Sequence, residues 1–151
     1  RIIHVLECKL IMIFKMKALI AFFILIASGM TQAACWKEIY SDKKTDIYID
    51  ACSIAQTGAQ KKAWFRQVYA EARKTDTYPN KEYDETKFLS YFNCAAKTAV
   101  TVKSVDYGPE PDNEVVNTFS INPKLAIYDE YIPDSVGEIE FEAVCKIKNN
   151  K

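Results

Sequence analysis

Across residues 36–121 polar and apolar side chains change places at nearly every step, the period of half-buried β-strands. In "AWFRQVYAEAR" (63–73) the alternation puts Trp64, Arg66, Val68 and Ala70 on one face and Phe65, Gln67, Tyr69 and Glu71 on the other. "TKFLSYFNC" (86–94) sets Phe88 and Phe92 on one face with Tyr91 opposite. After a tight turn at Ala95-Ala96, "KTAVTVKSVDY" (97–107) alternates Thr98, Val100, Val102 and Ser104 against Ala99, Thr101, Lys103 and Val105. "EVVNTFSI" (114–121) reads as a further strand beyond the Gly/Pro-rich segment 108–113. "SIAQTGAQKK" (53–62), with Gly58 at its turn, and the polar "KTDTYPNKEYDE" (74–85) read as connections.

Two segments carry more specific signals. "ACWKEIYSDKKTDIYIDAC" (34–52) has the form of a hairpin around the turn Asp42-Lys43-Lys44-Thr45. With Tyr40 opposite Ile47, a regular register brings Cys35 opposite Cys52, at the spacing a disulfide needs. Near the C-terminus, "EIEFEAVCK" alternates like a strand through Glu138, Glu140 and Glu142. Yet Ser135-Val136-Gly137-Glu138 is a capping box after Pro133, and Val136, Ile139, Ala143 and Ile147 recur at helical spacing. The helix over 136–147 is the reading adopted. The expected fold is α+β: a mainly antiparallel sheet of about five to six strands, covered on one face by a C-terminal helix and stapled by disulfides.

The opening residues change the compartment. "ALIAFFILIA" (18–27) follows Met16-Lys17 and precedes small residues up to Ala33-Ala34, the layout of a cleaved secretory leader starting at Met16 or Met12. Its apolar core is too short to span a bilayer. Two units follow: residues 1–33 as upstream residues and leader, and 34–151 as one exported domain, with no transmembrane segment in the mature chain. Cleavage removes Cys8 and leaves Cys35, Cys52, Cys94 and Cys145, which in an exported chain read as two disulfides with three possible connectivities. The hairpin geometry selects Cys35–Cys52 and leaves Cys94–Cys145. A lipidated Cys35 is the alternative, weakened by Gln32 where lipoprotein signals usually carry Leu.

Composition narrows the chemistry. Without Arg1, Lys9, Lys15, Lys17 and Glu7 the domain holds 16 basic and 19 acidic residues, a net charge near −3 with no basic block for nucleic acid. The one histidine, His4, precedes the leader, which removes histidine acid–base chemistry and triads from the exported domain. No CxxC zinc pattern and no phosphate-binding glycine loop occurs, so no catalytic residue, metal or cofactor is assigned. The candidates for binding are turn and terminal lysines, Lys43, Lys44, Lys61, Lys62 and Lys151, and the loop-proximal tyrosines Tyr78, Tyr83 and Tyr107.

Taken in order, "CWKEIYSDKKTDIYIDACSI", Gly58 with "AWFRQVYAEAR", "YDETKFLSYFNCAAKTAVTVKSVDY" and "YIPDSVGEIEFEAVC" resemble the surface-adhesin protein E family of Gram-negative bacteria. The resemblance spans Trp36 to Cys145. It implies an antiparallel sheet with a C-terminal helix and a cysteine pair at Cys94 and Cys145. It also implies a non-enzymatic envelope protein of the periplasm or cell surface that binds host matrix or plasma proteins, such as laminin, vitronectin or plasminogen, and that forms homodimers. The poor lipobox and the Cys35–Cys52 pair depart from the family pattern, and no binding residue of the family is matched position by position. A periplasmic structural or accessory role without adhesion is the alternative.

Overall fold

A computed structural model describes residues 34–146; the expected leader and Lys151 lie outside the described residues. The strands are β1 (Trp36–Ser41), β2 (Thr45–Asp50), β3 (Ala55–Thr57), β4 (Gln60–Lys74), β5 (Glu82–Asn93), β6 (Thr98–Tyr107), β7 (Val115–Ser120) and β8 (Asp129–Glu130), and one helix follows, α1 (Val136–Cys145). They form one antiparallel sheet in the order β1-β2-β4-β5-β6-β7, with β3 paired to β4 and β8 to β6. The α+β architecture is therefore the one expected, with β3 a short addition in a segment read as a connection and β8 a short addition in a segment given no element from the sequence.

The first hairpin turns where Asp42 dictates. Its Oδ1 accepts from the backbone N–H of Lys44 (2.7 Å) and Thr45 (2.8 Å), closing the chain back on itself. The Lys44 backbone bond first, then the Tyr40 hydroxyl and the Thr45 backbone bond, hold the Asp42 carboxyl below its ordinary range. Next to the turn Tyr40 faces Ile47 and Ser41 faces Asp46, as the regular register requires. Further down a bulge at Ile39 adds one residue, and Trp36 faces Asp50. Cys35 thus falls one step out of register with Cys52, and the regular-ladder argument fails at that end. The disulfide nevertheless closes, with Cα atoms 5.4 Å apart, because Cys52 lies beyond the strand end where the chain bends. The second disulfide joins Cys94, after β5, to Cys145 in α1.

One face of the sheet builds the core. Ile47 and Ile49 from β2, Ala63 and Phe65 from β4, and Phe88 and Phe92 from β5 are all buried under Phe141 and Val144 of the helix. Phe65 stacks on Phe88 with ring centroids 5.3 Å apart and meets Phe92 at 5.8 Å; Phe92 meets Phe141 at 6.2 Å. The helix begins as its sequence demands. The Ser135 side chain accepts from Glu138 N–H, while Glu138 Oε2 accepts from Asp134 N–H at 2.8 Å, one residue earlier than an ideal capping box.

Two further readings are corrected by register. In β6, Ser90 faces Thr101 while Leu89 faces Lys103, so Val102 is an extra, bulged residue. Ala99 and Thr101 therefore lie on the helix side with Phe92 and Ser90, whereas Lys103 and Val105 lie on the opposite side. The simple alternation had placed all four together. The polar connection 74–85 is also shorter than expected, because β4 runs to Lys74 and β5 starts at Glu82, leaving only 75–81 between them. Buried Thr75 organises the short turn between them, its N–H donating to Lys81 O and its hydroxyl accepting from Lys81 N–H.

Candidate functional site

The face of the sheet turned away from α1 has a different composition. Cross-strand pairing places Tyr48, Arg66, Lys87 and Val105 in one row, and Trp64, Leu89 and Lys103 in the next. Trp36 joins them through its pairing with Asp50. None of these residues is among the side chains packed on the helix-side core. Trp36, Asp50, Trp64, Lys87, Lys103, Val105 and Tyr107 line one shallow concavity of about 260 Å³. A neighbouring one of about 410 Å³ shares Trp36, Lys87 and Tyr107 and adds Arg66, Glu85, Glu110 and Asn113.

Charge on this face is ordered by Glu85. Arg66 donates from Nε (2.8 Å) and Nη2 (2.5 Å) to Glu85 Oε2, and the Lys87 ammonium sits 3.1 Å from Glu85 Oε1. Partial burial pushes the Glu85 carboxyl up, but the hydrogen bonds and positive charge of Arg66 and Lys87 outweigh burial and hold it below the usual range. Each cation also stands over a ring. Arg66 lies 5.8 Å from the Tyr48 centroid, Lys87 4.5 Å from Tyr107, and Lys103 5.9 Å from Trp64. The arrangement can hold a ligand that offers both a flat non-polar surface and hydrogen-bonding or anionic groups. It contains no nucleophile–base pair of the kind that acyl or phosphoryl transfer needs.

The lysines picked from the sequence do not converge. Lys43 and Lys44 are at the tip of the first hairpin, where they share a concavity of about 270 Å³ with Tyr69, Glu71 and Arg73. Arg73 lies 3.9 Å from the Tyr69 ring centroid, which in turn meets Tyr83 edge-on at 5.8 Å. Lys61 and Lys62 are not in a turn. They lie inside β4 opposite Phe92 and Tyr91, and the Lys61 ammonium donates to Val144 O at 3.1 Å. The backbone bond from Ala70 N–H to Lys44 O places the hairpin tip nine positions along β4 from Lys61, roughly 30 Å at strand rise. Lys151 is outside the described residues. Of the tyrosines, Tyr78 is 96% exposed, while Tyr83 and Tyr107 are half-buried.

Cys35, Asp50 and Cys52 are the one group of potential metal ligands among the described residues. The two sulfurs are bonded to each other, and Asp50 Oδ1 already accepts from Cys35 N–H (2.9 Å) and Cys52 N–H (3.1 Å), so the trio is a structural clasp rather than a thiolate site. Burial alone pushes the Glu140 carboxyl up to about 7, on α1 rather than on the open face. No described helix is long and apolar enough to cross a membrane.

Sequence reasoning overlooked the open face, although one signal for it was present: Trp64 and Arg66 fall on the same side of β4, opposite Phe65. The partners Lys87, Lys103 and Trp36 could be added only once the register, with its bulges, was known. No curated protein and no solved structure matches the chain. The family model of the surface-adhesin protein E matches residues 36–146, nearly all of the described domain, and the chain belongs to that family.

Proposed function

We propose that this protein is an exported, non-catalytic adhesin domain that grips a host matrix or plasma protein through the open face of its sheet. The single observation that carries this reading is the unshared aromatic and cationic face, with Trp36, Trp64 and Lys103 left out of the core while the opposite face is sealed by α1. These half-buried tryptophans and the exposed Lys103 lie outside the helix-side core, and interface anchors are rich in Trp, Tyr and Arg. Export is supported by the leader pattern at 16–33 and by two disulfides, which persist in oxidising compartments. Placement at the surface rests on the family; the Cys35 sulfur is occupied by Cys52, which speaks against lipid at that position.

The test is saturable binding of the purified protein to immobilised laminin, vitronectin and plasminogen, repeated with Lys87→Glu/Lys103→Glu. We expect binding to at least one of them and its loss in the double variant. Intact mass from the envelope fraction checks the export step, with a chain starting at Ala34 and gaining the four hydrogens of two reduced disulfides as the expected result.

A second reading, self-association within the envelope, is favoured by the free edge. β7 ends the sheet with Val115 and Phe119 exposed, and Leu125 and Ile127 beyond it are 76% and 80% exposed. A concentration-dependent dimer abolished by Phe119→Lys supports that homodimer; a monomer at high concentration excludes it.

A further inference from the structure

The open face, taken as the contact surface proposed above, also indicates what kind of chemical group it holds. We infer that the concavity between Trp36, Trp64 and Lys103 binds a terminal acidic sugar, a monosaccharide ring bearing one carboxylate and several hydroxyls, presented on host glycans.

Four features of the site point to this class. The lining contains a single aliphatic side chain, Val105, so an apolar peptide side chain would find no pocket of its own. Apart from Trp36 on the edge strand β1, the strand residues lining the site lie on β2, β4, β5 and β6, whose main-chain N–H and C=O groups are spent on neighbouring strands, so a peptide cannot add a strand within the concavity. What the site does offer is two half-buried indoles, whose flat amphipathic rings suit the non-polar face of a sugar ring. Its polar groups complete the match. The Lys103 ammonium forms no salt bridge among the described residues and is held over Trp64, ready for a carboxylate. Asp50 uses Oδ1 for two backbone N–H groups, which leaves Oδ2 to accept from a ligand hydroxyl. The same Asp50 sets the sign of selectivity. A densely sulfated polymer would be repelled by it, whereas one carboxylate beside several hydroxyls satisfies Lys103 and Asp50 together.

The chain's two tryptophans are both in the site, so intrinsic fluorescence reads it directly. The experiment titrates the purified protein with 3′-sialyllactose, with lactose and with sodium sulfate, and repeats the first titration on Lys103→Ala. The expected result is a saturable change with sialyllactose alone, weakened about tenfold in Lys103→Ala, the worth of one charge-assisted hydrogen bond. No saturable change, an equal response to lactose, or an equal response to sulfate would overturn the inference. If Lys103→Ala does not fold, shifts of the Trp36 and Trp64 indole N–H resonances in the unaltered protein decide the same question. Failure here is distinguishable from failure of the adhesin reading. Matrix binding that Lys87→Glu/Lys103→Glu abolishes but sialyllactose neither competes nor perturbs leaves the contact face standing and removes the sugar.

Discussion

The two faces of this sheet are built from the same strands and do opposite work. On the helix side, Phe65, Phe88, Phe92 and Phe141 meet ring to ring and, with Val144, exclude water. On the open side, aromatic residues alternate with cations, and each cation is held over a ring or against Glu85 instead of being buried. The difference teaches where stability and binding reside. Substitutions on the first face should act on the folded state, and those on the second should act on the partner and leave the fold nearly unchanged.

The largest effect expected falls on the staples and the core. Removing Cys94–Cys145 by Cys94→Ser/Cys145→Ser opens a loop of 51 residues and should cost about 4 kcal/mol, read as a lower denaturation midpoint. Phe65→Ala, at a fully buried ring between two other phenylalanines, should cost roughly 3–5 kcal/mol by the same measurement. If either change left stability intact, the helix-side face would not be the core described here.

How far these residues could be read from sequence alone differs between the faces for a physical reason. Phe65, Phe88 and Phe92 announced the buried side, because a period of two survives within any one strand. Ser135 and Glu138 announced the helix, because capping is local. The open face is a product of several strands, so it depends on register, and the extra residues at Ile39 and Val102 shift register without an unmistakable local signature. Lys61 and Lys62 were misplaced for a related reason: Gly58 does mark a turn, with φ +62°, but the strand resumes at Gln60, leaving almost no loop for them.

Smaller effects sharpen the contrast. Glu140 sits on the helix with its carboxyl raised to about 7 by burial. A raised acid favours the protonated fold, so its stabilising contribution is fully present below the unfolded value near 4.5 and fades as pH rises to about 7. Glu140→Gln should therefore stabilise the protein by roughly 1–2 kcal/mol at pH 8, have little effect at pH 4, and flatten the intervening slope in a melting series. Ser135→Ala removes the side-chain acceptor at the helix start and should cost about 1 kcal/mol, with the open-face ligand affinity unchanged.

The smallest stability change should come from the open face, and it carries the central claim. The most direct measurement is the paired melting temperature and matrix-protein affinity of Lys103→Glu, which leaves the Arg66–Glu85–Lys87 cluster intact, against the unaltered protein. The account predicts a melting temperature within a few degrees, since Lys103 is exposed and forms no salt bridge among the described residues, and surface changes of that kind stay near ±0.5 kcal/mol. It predicts that binding falls by at least about tenfold, the loss expected when ligand-facing cations are reversed. Full binding by the folded Lys103→Glu variant would contradict it, and would move the contact surface away from the face that α1 leaves open.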